Sequence, residues 1–97
     1  MQQDEKGTRE AISNNVFGAI HTAFAQYQEP DRENLKKKLI EAQEIFEASG
    51  FTTKVVENLT FLLQKIEPIK YYFLHSTIAF YLYQFPVYLG LAGRESR

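Results

Sequence analysis

Residues 71–93 contain no Asp, Glu, Lys or Arg, yet they hold eight of the chain's fourteen aromatic residues. The few polar side chains of the stretch, His75, Ser76, Thr77 and Gln84 among them, are too scattered to leave one wet face. A helix formed here must be covered on several sides, and the nature of the cover is the main functional question.

The remaining sequence has to provide part of that cover. Ninety-seven residues make one domain, of a size that buries only somewhat over about 60% of its unfolded surface. With 44% apolar and 24% charged residues, and only three Pro and five Gly, the chain is globular in type. A net charge of −1 supplies no basic field for nucleic acid, so no nucleic-acid partner is expected. The absence of cysteine excludes disulfides, thiolate metal sites and thiol catalysis. Residues 1–10 (MQQDEKGTRE) are polar with no apolar run behind them, which predicts no secretory signal and a cytoplasmic location.

Hydrophobic spacing predicts an all-α fold. Residues 1–8 read as a flexible tail, with Thr8 a candidate cap, before a first helix over about 9–27. Its stripe is Ile12, Val16, Ala19, Ile20, Ala23, Phe24 and Tyr27. Ser13, Asn14, Asn15 and Gly18 weaken this segment, and Ser13 is an alternative cap. Asp31 is the expected cap of a second helix over about 32–48, with Leu35, Leu39, Ala42 and Phe46 as its stripe. Lys36, Lys37 and Lys38 fan across about 200° of it between acidic neighbours, as a solvated face does. The Ser49-Gly50-Phe51 stop predicts a left-handed Gly and a contact of Phe51 on Phe46. Thr52 or Thr53 then caps a third helix striped by Val55, Leu59, Leu62 and Ile66.

Pro68 interrupts the pattern, which resumes at once and runs to Phe85 before Pro86 ends it. Tyr71, Leu74, Ile78, Leu82 and Phe85 make one stripe, Ile69, Phe73 and Phe80 a second, and Tyr72, Ala79 and Tyr83 a third. Because Ile66 and Ile69 both carry pattern, no loop is evident for an up-and-down four-helix bundle. The segment 53–85 is therefore either one rod kinked at Pro68 or two helices meeting at a corner. The rod, the favoured form, would be about 48 Å long and would overhang the hairpin of the first two helices. Leaving five large side chains of the overhang in water would forgo about 8–15 kcal/mol, comparable to the whole stability of a small domain. A corner lets the last helix fold over the hairpin, and a monomer becomes tolerable. In both forms the tyrosines, each an apolar ring with a polar tip, suit an interface. The single helical domain is expected over 9–92, with a polar tail at 93–97.

No constellation of catalytic or ligand-binding residues emerges. His21 and His75 are preceded at three residues by Gly18 and Tyr72, so the Glu-x-x-His pattern of di-iron bundles is absent. Neither has an acidic neighbour at helical spacing, and no metal, haem or other cofactor is expected. Ser76 beside His75 points about 100° away from it and has no orienting carboxylate. Glu57 and Glu67 read as surface charges rather than an acid–base pair. Asn58-Leu59-Thr60 matches a glycosylation sequon but lies within a helix. These absences predict a non-enzymatic protein-interaction or regulatory module, of the kind that immunity proteins, secretion chaperones and assembly factors exemplify in architecture alone. The expected state is a homodimer, with a further protein partner of unspecified identity, joined through Tyr72, Phe73, Phe80, Tyr83, Phe85 and Tyr88. The alternative is a membrane-associated helical protein using residues 71–91 against lipid, since the uncharged stretch is long enough to span a bilayer.

Overall fold

The computed structural model describes residues 2–84, which form a small bundle of four helices: α1 (Gln2–Phe24), α2 (Arg32–Ser49), α3 (Thr53–Lys65) and α4 (Tyr72–Tyr83). Phe85, Tyr88 and the polar tail at 93–97 lie outside the described residues. Each helix touches the next in chain order, and α4 closes back on α1. Ser13 of α1 reaches Glu47 near the end of α2, while His21, two turns further on, reaches Gln43, so these two helices run antiparallel. The core lies between the four helices and contains Val16, Phe17, Ile20, Leu35, Leu39, Leu59, Leu62, Leu74 and Ile78, all fully buried.

The predicted stripes account for most of this core. All four residues expected on α2 are buried, as are Val55, Leu59, Leu62 and Ile66 of the third stripe. The α1 stripe widens to include Phe17, which has no solvent exposure. Helix α1 begins at Gln2 rather than near Arg9, so Thr8 lies inside a helix and not at its cap. Gln, Glu, Lys and Arg dominate this segment and are good helix formers, and Gly7 opposes them by only about 1 kcal/mol. Helix α1 ends at Phe24, three residues before the expected limit. The turn that follows still buries Tyr27, whose N–H donates to the Phe24 carbonyl at 3.0 Å.

Two of the features expected at the helix ends hold and two differ in detail. The Thr52 side chain accepts from the Val55 N–H at 3.4 Å, capping α3. Phe51 packs edge-on against Phe46, with ring centroids 5.4 Å apart. Asp31 makes no side-chain cap bond, and only its carbonyl serves α2, accepting from the Leu35 N–H at 3.0 Å. Gly50 has the expected positive φ of 82°, but its ψ of −161° is extended rather than left-handed helical. That backbone region is essentially restricted to glycine.

The kinked rod does not form, and the chain turns a corner. Ile66 already leaves helical geometry at φ −98°, ψ 119°, and its side chain is buried. Residues 67–71 supply the loop that the sequence pattern concealed. The Tyr71 N–H donates to the Glu67 carbonyl at 2.9 Å, closing one turn with Pro68 at its first position, where no N–H is required. Ile69, assigned to a helical stripe by its spacing, sits on this turn at 97% exposure. The corner brings α4 onto both α1 and α3, and Leu74, Ile78 and Leu82 enter the core.

Two substitutions test this account by urea denaturation. Phe17→Ala is expected to lower stability by about 3–5 kcal/mol, the usual loss for a fully buried ring. Gly50→Ala is expected to lower it by about 1–3 kcal/mol, because the new Cβ must occupy a strained backbone region.

Candidate functional site

Helix α4 is apolar around most of its circumference, and the fold can bury only one side of it. At about 100° per residue, Leu74, Ile78 and Leu82 point to one side, and Tyr72, Phe73, Ser76, Ala79, Phe80 and Tyr83 fall within about 120° of one another on the other. The exposures follow this division. Leu74 and Ile78 are inaccessible, whereas Tyr72 is 70%, Phe80 56%, Tyr83 63% and Phe73 37% exposed in the single chain. Among the described residues the other large apolar side chains left open, Ile40, Val56 and Ile69, lie on other elements. The structure therefore places four of the six expected interface residues together on one uncharged ridge about 17 Å long.

The ridge rests on an ordered base. A series of edge-on ring contacts leads from the core to its near end: Phe24 to Tyr27 at 5.2 Å, Tyr27 to Tyr71 at 4.5 Å, and Tyr71 to Phe73 at 6.2 Å. At the far end Phe80 leans on Tyr81, with centroids 5.0 Å apart. Such contacts favour fixed ring positions and reduce the entropy lost when a partner docks.

A polar clasp fixes the start of α4. Glu29, in the turn between α1 and α2, accepts from Lys70 Nζ at 2.7 Å and from the Tyr71 hydroxyl at 2.8 Å. The Lys70 ammonium also lies over the Tyr71 ring, 5.5 Å from its centroid. These bonds, first that from Lys70 and then that from Tyr71, hold the Glu29 carboxyl below its usual range. The same pairing raises Lys70 and Tyr71, chiefly through their hydrogen bonds to Glu29. Tyr27 is raised as well, mainly by burial and then by Asp31 and Glu29.

A second polar group joins α1 to α2 and was not legible in the sequence. Ser13, fully buried, donates to Glu47 Oε2 at 2.7 Å, and Gln43 Nε2 donates to the same oxygen at 3.3 Å. The Gln43 side-chain oxygen meets His21 Nε2 at 3.0 Å, and Arg9 Nε donates to the Glu47 carbonyl at 3.3 Å. Although this places a serine, a histidine and a carboxylate close together, Ser13 contacts no imidazole and no solvent. The group seals a helix seam. The only cue in the sequence was the polar residue Ser13 at a position adjacent to the apolar stripe.

The other features singled out in the sequence are structural. Asn58 is buried and donates through Nδ2 to Glu41 Oε1 at 3.2 Å, so its sequon is not presented at the surface. Lys38 pairs with Glu41 at 3.7 Å and shares the Phe61 ring with Lys65, as expected of a solvated face. Among the described residues no group of three or more His, Cys, Asp or Glu is arranged to hold a metal ion. Nor is any helix among them long and apolar enough to cross a membrane. No protein-family model, curated protein or solved structure matches the chain.

The clasp predicts a defined pH dependence of folding. Because Glu29 is more acidic when folded, its contribution is present above the unfolded carboxylate pKa and is lost as pH falls through the lower folded value. Lys70 is raised, so its contribution is present below the unfolded lysine pKa and is lost as pH rises through the folded one. Urea midpoints measured across pH should show Glu29→Gln with a flatter acid limb than the parent and Lys70→Met with a flatter alkaline limb.

Proposed function

We propose that this protein is a non-enzymatic, cytoplasmic interaction or regulatory module that self-associates through α4 and can present the same aromatic surface to a protein partner. One observation carries the reading: Tyr72, Phe73, Phe80 and Tyr83 lie open on a single uncharged helix face. Isolated exposed apolar side chains are ordinary, but aromatic residues contiguous on one face mark an association site. The character of the surface favours protein over lipid. Two of the four rings carry hydroxyls, and the face has no flanking Lys or Arg within α4 to engage anionic headgroups, as an interfacial helix usually would.

Sedimentation velocity from about 1 to about 100 μM should show a mass that rises from one chain to two, in the affinity range expected of a modest interface. Phe80→Glu combined with Tyr83→Glu should abolish the increase by burying two charges in an apolar contact, while circular dichroism remains that of the parent because both positions are exposed. A parent that stays monomeric throughout this range, or a double variant that still dimerises, contradicts self-association through this face.

A further inference from the structure

The α4 ridge has relief, and the sequence that follows it has a face to match. Tyr72 and Phe73 stand at one end of the ridge and Phe80 and Tyr83 at the other, while Ser76 and Ala79 between them are small and half-buried. The face is therefore a shallow trough about 17 Å long with rings at both ends. Beyond Gln84, outside the described residues, the sequence FPVYLGLAG (85–93) carries no charge. Pro86 has no N–H with which to continue α4 and disfavours helical geometry at Phe85, so the chain leaves the helix at the far end of the ridge. Past Pro86 the pattern changes to a period of two. Val87, Leu89 and Leu91 share one face of an extended segment, and Tyr88, Gly90 and Ala92 share the other. The first face is branched and aliphatic, and the second is small apart from a ring with a hydroxyl.

We infer that residues 87–92 return along the α4 ridge as an extended strap, with Leu89 seated over Ser76 and Ala79. The strap thereby competes for the face used in self-association, a consequence that rests on the reading proposed above. The two repeats agree in length. Along the helix axis Ser76, Ala79 and Tyr83 stand about 6, 10 and 16 Å from Tyr72. Alternate side chains of an extended segment lie about 6.7 Å apart. With Leu89 between Ser76 and Ala79, Leu91 reaches the Tyr72–Phe73 end and Val87 the Phe80–Tyr83 end. Phe85 and Pro86 remain for the reversal, and Tyr88, Gly90 and Ala92 face water.

Two further observations favour this occupant. The segment is tethered at the end of the ridge itself, and a short tether supplies an effective concentration on the order of millimolar, above the micromolar range in which a second copy arrives. Charge also matches along the path. The strap is uncharged wherever it follows the uncharged ridge, and Arg94, the first charged residue after Lys70, emerges past Tyr72 over the turn at residues 67–71. There the carboxylates of Glu29, Asp31 and Glu67 line one hollow against only two cations, Lys65 and Lys70.

Because the parent has no cysteine, disulfide trapping reads the geometry directly. Ser76→Cys is combined with Leu89→Cys in one full-length chain and with Tyr88→Cys in another, and both are oxidised at about 1 μM, where closure within a chain dominates. A docked strap turns residue 89 toward α4 and residue 88 away from it, so the 76–89 disulfide is expected to form about tenfold or more faster than the 76–88 one. A loose tether closes both at the same rate. Equal rates, or products that link two chains, overturn the strap. Leu89→Asp alone then tests the competition by sedimentation. A strap docked about nine-tenths of the time leaves about a tenth of the chains open to a partner, so its release should lower the midpoint concentration of association about tenfold. An unchanged or higher midpoint overturns the competition. Selective 76–89 closure with neither the parent nor Leu89→Asp associating leaves the strap standing and overturns the self-association.

Discussion

The seating of Leu74, Ile78 and Leu82 between α1 and α3 is the contact on which the arrangement of this protein depends. Helix α4 has no wet side, so its orientation is not chosen by water. It is chosen by which of its apolar stripes fits the groove that the other helices leave open. The slender aliphatic side chains fill that groove, and the bulkier rings are turned outward. Interiors pack at crystal-like density, so three branched side chains stacked a turn apart suit a narrow helix-lined cleft better than a row of phenol rings. The outward aromatic ridge is a direct consequence of that choice.

The corner at Pro68 makes the seating geometrically accessible. Continuing α3 in a straight line would have carried the aliphatic stripe away from the core and left the cleft between α1 and α3 open. The turn over residues 67–71 returns the chain, and the Glu29 clasp holds the returning end against the turn between α1 and α2. As an ion pair open to solvent on its lysine side, the clasp adds only modest stability. Its two hydrogen bonds to a single carboxylate oxygen instead fix where α4 begins. The ring contacts from Phe24 to Phe73 lie next to this point, so the position of the surface ridge and the packing of the core are mechanically linked.

Several elements were legible because one physical signal dominated each. The stripe of α2 alternates with charged residues and that of α3 keeps an unbroken helical spacing, and every stripe position expected in the two is buried. Thr52 has a side chain suited to capping and no competing role. Other features were hidden where signals conflicted. Ser13 looks like a helix breaker when read alone, but opposite Glu47 and Gln43 it becomes a satisfied donor in a seam. Ile69 matches helical spacing by coincidence, because Pro68 starts a separate turn there. The first turns of α1 have no apolar period, so nothing in their pattern distinguished a helix from a tail.

The sequence by itself determined the all-helical class, three of the four buried stripes and the fact that residues 71–84 carry more apolar surface than one side of a helix can bury. These are properties of composition and spacing, which act locally along the chain. Only the tertiary structure decided whether the chain bends or continues at Pro68, and which stripe of α4 faces inward. The aliphatic stripe and the Phe73–Phe80 stripe are comparably apolar, so hydrophobicity alone did not fix which of them enters the core. Shape did, but only once α1 and α3 were in place to define the cleft.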